Sequence, residues 1–277
     1  MEVHSVHKYL GAIIEGVDAS AASSENAEEL KVALGRHHVV VLRDQKLTPA
    51  TLTHFASLFG KVETAVREQF WHPEVPQVYI ISNIVENGRQ IGNPNDGFGW
   101  HTDQTVMRRP TAYTFLYCIE GPPEGADTQF VQTYDLHDAL TAEQQAEYAA
   151  TKVQFSHDRL HASRPNAAPL TEEQRRRAPD VVHPLVRTHP ITGRKSIYLG
   201  RPTYASPIGL PEERGAALLQ SFFNAATTPE RVYSHRWKPE DLVIWDNRGT
   251  LHTATAYDKE KYRRLMHRVS VAGEEPC

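Results

Sequence analysis

From Thr111 onward the chain returns to one pattern: a short β-patterned run, then a turn built from Gly, Pro, Asn or Asp. Thr111 to Ile119 is such a run and ends at Gly121-Pro122-Pro123. Thr128 to Thr133 follows, then His183 to His189 and Lys195 to Leu199 around Thr192-Gly193. Val232 to Trp237, Leu242 to Trp245, Gly249 to Ala256 and Arg263 to Val271 complete the set. Runs this short fit strands better than helices. Many short strands bury their apolar faces by closing or doubling a sheet, so the pattern predicts a mainly β chain with a jelly-roll or barrel core. Upstream, residues 3–15, His38 to Leu42 and Gln77 to Ser82 read as further strands. Helices are expected to flank this core over residues 25–37, Thr48 to Phe59 with Pro49 at its first position, 135–150 and 211–226. A polar stretch at about 158–180 reads as an exposed insertion or lid. With no compositional break, residues 1–277 are expected to form a single domain.

Composition narrows the function classes. A net charge of -4, with acids and bases dispersed, offers no surface for nucleic acid. No apolar run reaches the ~20 residues of a membrane span, and Met1 to Leu10 does not read as a signal peptide. A cytoplasmic setting is expected. The two cysteines, Cys118 and Cys277, exclude a disulfide framework and a zinc–thiolate site.

The residues that carry chemistry begin at Trp100-His101-Thr102-Asp103. On an extended strand, positions i and i+2 share a face, so His101 and Asp103 can converge on one metal ion. The loop before them, residues 86–99, carries Gly88, Gly92, Gly97 and Gly99 among asparagines and Pro94. A third ligand is offered by His252, after the turn Asp246-Asn247-Arg248-Gly249. Two His and one carboxylate suit a non-haem Fe(II) site with open positions. Spacing alone leaves a chance His-x-Asp pair as the commoner explanation. His183 and His189 could mimic a second metal pair, but Pro184 and Pro190 follow them, and turn or packing roles fit better.

His101-x-Asp103, His252 and the basic run Arg263-Arg264-Leu265-Met266-His267-Arg268 together resemble the taurine dioxygenase (TauD/TfdA) family of Fe(II)/2-oxoglutarate-dependent dioxygenases. Gly125-Ala126-Asp127-Thr128, His183-Pro184-Leu185-Val186-Arg187-Thr188-His189-Pro190 and Asp246-Asn247-Arg248 extend the resemblance from Phe59-Gly60 to Val271. It implies a double-stranded β-helix (jelly-roll) core with flanking helices, Fe(II) as cofactor, and 2-oxoglutarate and O2 as co-substrates. It implies that His101, Asp103 and His252 ligate iron, and that Thr128 and Arg264 bind the distal carboxylate of 2-oxoglutarate. The segment from His252 to Arg264 is one residue longer than in the taurine-oxidising members, so a bulge or longer turn is expected there. The implied reaction couples oxidation of 2-oxoglutarate to succinate with hydroxylation of a small molecule, and a C–heteroatom bond breaks if the hydroxylated carbon bears the heteroatom. With Asp103 present, a halogenase is not expected.

Substrate is less constrained. Arg268 resembles the family's sulfonate-binding Arg and suggests an anionic group, or else assists the co-substrate or forms an internal ion pair. Gly97 stands where taurine-oxidising members carry Asn. Phe98 and Tyr204, with Phe70 and Trp71, suit a larger or more apolar substrate body. A small organic acid other than taurine ranks first, with taurine or an alkylsulfonate as the alternative. A metal-dependent jelly-roll binding protein or isomerase is the alternative of another class, and it would have no need of Arg264 and Thr128. The resemblance leaves room for a homo-oligomer.

Overall fold

The computed structural model of the protein describes residues 1–163, 171–177 and 179–277. The chain opens with a hairpin of β1 (Glu2–Ser5) and β2 (Ala12–Glu15), then α1 (Ser24–His37), β3 (Val39–Leu42) and α2 (Pro49–Ser57). Ser23 caps α1 and Thr48 caps α2, each in a reciprocal capping box, and Pro49 sits in the first turn of α2. Next come β4 (Val62–Glu63), β5 (Tyr79–Ser82), a small hairpin of β6 (Val85–Glu86) and β7 (Arg89–Gln90), β8 (Thr111–Glu120) and β9 (Thr128–Gln132). The stretch read as a loop over 86–99 therefore begins as a hairpin, turned at Asn87-Gly88 where both residues have positive φ.

The expected single helix over 135–150 is two: α3 (Tyr134–Asp138) and α4 (Ala142–Ala150). Thr141 accepts from the Gln144 backbone N–H, and Gln144 returns the bond to the Thr141 N–H, which restarts the helix. Then follow β10 (Lys152–Phe155), α5 (His157–Ala162), α6 (Glu172–Arg177), β11 (Val181–Pro184), β12 (Val186–Thr188), β13 (Lys195–Ile197) and β14 (Ala205–Pro207). The insertion or lid expected over 158–180 lies in part, at 164–170 and 178, outside the described residues. The chain closes with α7 (Glu212–Ala226), β15 (Tyr233–His235), β16 (Leu242–Asp246), β17 (Thr250–Ala254) and β18 (Leu265–Ala272).

Among the described residues the strands make one eight-stranded sheet, ordered β1-β2-β3-β16-β8-β18-β4 with β5 also paired to β18, two three-stranded sheets, β15-β9-β17 and β11-β10-β14, and two two-stranded ones, β12-β13 and β6-β7; the large sheet and β15-β9-β17 carry the site. Only β2 and β3 pair in parallel in the large sheet. Its central strands are buried on both faces, which is why they read as unbroken apolar runs. Val40, Leu42, Phe115, Ile244 and Val269 pack against Leu30 and Leu34 of α1 and Leu52 and Phe55 of α2. The alternate residues Val39, Val41, Leu116, Val243, Trp245 and Met266 face the other way and meet Phe130 of β9. Each such fully buried side chain contributes ~1.5–3 kcal/mol. A further core joins Leu219, Phe222 and Phe223 of α7 to Val153, Phe155, Ile197 and Leu251. The structure is thus sheet-rich with a few flanking helices. Among the described residues no helix is long and apolar enough to cross a membrane.

Candidate metal centre and pocket

His101 and Asp103 do not lie on a strand, as the i, i+2 argument expected. His101 makes a single antiparallel bridge to His252 of β17, with N–H to carbonyl bonds of 3.0 and 2.9 Å in the two directions, and the chain turns at Asp103. The bridge places the two imidazoles side by side, ring centroids 4.2 Å apart. The turn brings the carboxylate beneath both: Asp103 Oδ1 is 3.7 Å from His101 Nε2 and 3.7 Å from His252 Nε2. Among the described residues two clusters bring three metal-ligating atoms within 4.8 Å of one another. The other, Glu2, His4 and Glu15, lies exposed on the β1–β2 hairpin.

The donor atoms of the buried cluster are prepared for a cation. His101 Nδ1 donates to the Gly99 carbonyl at 2.8 Å, so its Nε2 carries the lone pair. Asp103 Oδ2 accepts from the Thr114 hydroxyl at 2.7 Å, which leaves Oδ1 facing the imidazoles. Burial and the neighbouring His101 drive the His252 pKa down to about 3, so its ring is neutral at pH 7. Burial alone would raise Asp103, but His252, Arg268 and the Thr114 bond hold it below the usual carboxylate range. Two neutral imidazoles and one carboxylate fit Fe(II). Among the described residues the buried Nδ1 of His252 has no partner, and its ring rests against Trp245, centroids 4.7 Å apart.

The cluster opens on a pocket whose wall comes from both sheets. Ile81, Leu116, Trp245 and Arg268 line it from the large sheet, Thr128, His252 and Ala254 from the small one, and Arg264 from the residue just before β18. Arg264 and Arg268 face the same cavity although Arg264 lies just before β18, while Arg263 points outward to Glu120. Asn83 ties the turn of residues 259–262 to the Arg264 N–H. The β18–β8 register slips between Leu265 and Met266, just beyond the His252–Arg264 segment where a bulge or longer turn was expected. Arg264 is 7% exposed, its Nε has no partner, and it has no ion pair among the described residues. Burial pulls its pKa below the usual arginine value. A buried, unpaired guanidinium calls for an anion. Thr128 accepts from the Trp237 indole at 3.0 Å, so its own hydroxyl proton is free to donate into the pocket.

Arg268 holds the internal ion pair. It donates to Asp96 at 2.7 Å and lies over the Tyr79 ring at 4.6 Å, while its Nε stays buried without a partner. Burial would lower the Arg268 pKa, but Asp96 and Asp103 raise it. Gly97 lines the pocket. Phe98, 38% exposed, is absent from the lining and packs under Lys259 instead. Tyr204 corrects the sequence expectation: it is 3% exposed inside the α7 core and does not reach the pocket. Phe70 and Trp71 also pack elsewhere, Phe70 on Tyr79 and Trp71 by its indole on the Ala65 carbonyl. His183 and His189 are structural, as their flanking prolines suggested. His183 braces the turn after Asp103 through the Thr105 and Met107 carbonyls, and His189 bonds Asp246 at 2.9 Å.

Sequence reasoning missed Asp96, Thr114, Arg201 and Trp237. Arg201 donates to three consecutive carbonyls, those of Phe98, Gly99 and Trp100, and so fixes the segment that delivers His101. Thr114 did carry a signal, a small hydroxyl side chain in the middle of a mostly buried strand.

Comparison with known proteins agrees with this geometry. Residues 2–270 match the family model described as "Taurine catabolism dioxygenase TauD, TfdA family". Pentalenolactone F synthase of Streptomyces arenae is 30% identical, the alignment covering 97% of this chain and 94% of that enzyme. The alpha-ketoglutarate-dependent 2,4-dichlorophenoxyacetate dioxygenase of Cupriavidus pinatubonensis is 31% identical over 94% of each. Among solved structures, AAD-2 in complex with Mn(II) and N-oxalylglycine superposes with a TM-score of 0.86 at 28% identity, covering 100% of this chain and 99% of its own.

Proposed function

This chain belongs to the TauD/TfdA family and is a 2-oxoglutarate-dependent non-haem iron dioxygenase, and from that premise we propose that it hydroxylates a small organic acid other than taurine. Its cofactor is Fe(II), and its co-substrates are 2-oxoglutarate and O2. His101, Asp103 and His252 would hold the iron, which when bound activates O2 at the expense of 2-oxoglutarate. Arg264 and Thr128 bind the distal carboxylate of 2-oxoglutarate: the guanidinium supplies charge-assisted donors and the hydroxyl one more. Trp245 and Leu116 keep water from the metal face of the pocket.

The observation that carries this reading is the unpaired Arg264 in the same pocket as the triad. A metal-binding or isomerase role would leave that buried cation without an anion. An organic acid fits the remaining donors of Arg268, whose pairing with Asp96 leaves its Nε unpartnered. A hydroxylation that leads to cleavage of a C–heteroatom bond belongs to the same proposal. Gly97, in place of a polar side chain, argues against taurine.

The two sheets that share the pocket support a double-stranded β-helix, or jelly roll, for the core. Residues 1–277 are read as one domain because the site draws on positions from Ile81 to Arg268. A cytoplasmic setting belongs to the same proposal. The test has two stages. Anaerobic addition of Fe(II) and 2-oxoglutarate should give a visible charge-transfer band, and a panel of organic acids, sulfonates and sulfate esters should then reveal which releases succinate stoichiometrically in air. Absence of both the band and succinate refutes the oxygenase reading. Taurine as the best substrate refutes the narrower one.

A further inference from the structure

Four side chains from three distant segments form a closed hydrogen-bond chain behind Asp103. The Trp245 indole N–H donates to Asn247 Oδ1 at 3.0 Å, and the Asp103 backbone N–H reaches the same oxygen at 3.4 Å. The Asn247 amide then donates through Nδ2 to Thr114 Oγ1 at 2.9 Å, and Thr114 donates to Asp103 Oδ2 at 2.7 Å. Asn247 and Thr114 are fully buried and Trp245 is 1% exposed.

The direction of every bond follows from the chemistry of the groups. An indole N–H can only donate, and so can a backbone N–H. Asn247 must therefore present its oxygen to Trp245 and Asp103, which turns its NH2 toward Thr114. A hydroxyl that accepts from that NH2 has one proton left, and its only acceptor among these groups is Asp103 Oδ2. The tryptophan thus fixes the amide, the amide fixes the hydroxyl, and the hydroxyl engages one oxygen of the carboxylate.

We propose that Trp245, Asn247 and Thr114 act as a positioning relay that commits Asp103 to metal binding through Oδ1 alone. Oδ2 is held back by a short bond, while Oδ1 faces the two imidazoles at 3.7 Å. A carboxylate free to rotate would offer both oxygens and use one of the positions that 2-oxoglutarate and O2 need. The relay also ties the turn carrying Asp103 to the Asp246-Asn247 corner that leads into His252. It rests on the metal-centre reading of His101, Asp103 and His252.

Mn(II) affinity measured on the full chain by electron paramagnetic resonance tests this without turnover. Thr114→Val keeps the shape and removes the donor; Thr114→Ser keeps the donor and removes a methyl; Thr114→Ala removes both. Loss of an outer partner of a metal ligand weakens affinity by ~10–100-fold, and that loss is expected for Val and Ala. Ser should stay within about threefold of the parent, since the donor is kept. A packing role for Thr114 predicts the opposite order, with Val tolerated and Ser impaired. Should the Val variant fail to fold, Ala against Ser decides. Tight binding by folded Val or Ala variants, or Ser as weak as Ala, overturns the relay. Absence of Mn(II) binding by the unaltered chain overturns the metal-centre reading itself.

Discussion

Glu274→Gln should destabilise the protein far more than a partly exposed glutamate ordinarily does. Arg187 on β12 is 0% exposed, and its ion-pair partner among the described residues is Glu274, at 2.5 Å. Glu274 also receives Arg248 at 3.0 Å, and Arg248 in turn holds Asp246 at 2.9 Å. Removing one partner of a fully buried pair costs ~3–5 kcal/mol because the other charge is left uncompensated. Glu274 keeps 32% of its side chain in solvent, and screening there brings the expectation to ~2–3 kcal/mol. For a chain of this size that corresponds to a fall in Tm of about 4–12 °C. The assay is calorimetric or circular-dichroism melting of the metal-free chain, with Arg187→Met alone and combined with Glu274→Gln. The double variant should lose less than the sum of the singles, because no buried cation then lacks its anion. A Tm change under about 2 °C for Glu274→Gln, or strict additivity, would refute the reasoning.

The same carboxylates predict an acid limit. The Arg248 and Arg187 charges hold Glu274 at about 2, and Arg248 with His189 holds Asp246 at about 2, against ordinary values of 4.5 and 3.8. Both pKa values are depressed, so their stabilisation is full above the ordinary values and is lost as pH falls through that range toward 2; melting at stepped pH should show Tm dropping below about pH 4.5. Arg264→Lys should raise the 2-oxoglutarate half-saturation of the anaerobic visible band by about 10–100-fold, the loss of a charge-assisted bond worth ~1.5–3 kcal/mol. Arg201→Gln should loosen residues 98–100, seen as faster amide hydrogen exchange there, and weaken Mn(II) binding by ~10-fold through the Gly99–His101 bond. Chelation should lower the Tm of the metal-loaded protein, since metal at 100 times its Kd contributes ~2.7 kcal/mol.

The fold was legible where local chemistry and burial agree. Thr48-Pro49 announces α2, and the β-branched run Val39-Val40-Val41 announces a strand buried on both faces. Where they part, the reading slipped. Thr141-x-x-Gln144 is a capping box hidden inside an Ala- and Glu-rich stretch, and the helical composition on both sides masked it. Tyr204 looked like a pocket aromatic by its neighbourhood in sequence. Its place is decided by β14, which pairs with β10 and carries the ring into the α7 core. No local pattern around Tyr204 reports that pairing, because the partners are distant in sequence and are joined only through the folded sheet.

The candidate metal centre shows the same division more sharply. Its proposed ligands could be named because a His-x-Asp pair and a distant His are local signatures. The geometric reason offered for the pair was nonetheless incorrect: one bridge to His252 and a turn, rather than a strand, bring His101 and Asp103 together. That matters physically. A strand would hold both side chains through its own ladder, whereas a turn holds Asp103 only as firmly as its outside contacts do. Those contacts are Thr114, 11 residues on, and Asn247, 144 residues on. In sequence Thr114 is only a hydroxyl in a buried strand and Asn247 only one member of Asp246-Asn247-Arg248, and each acquires its proposed role only when β8 and β16 pair with Trp245 opposite Thr114. The large sheet is therefore more than a scaffold for the pocket. In the proposed relay its register sets which oxygen of Asp103 faces the two imidazoles, and a slip of one residue between β8 and β16 would turn Thr114 to the opposite face and leave Asp103 without its donor.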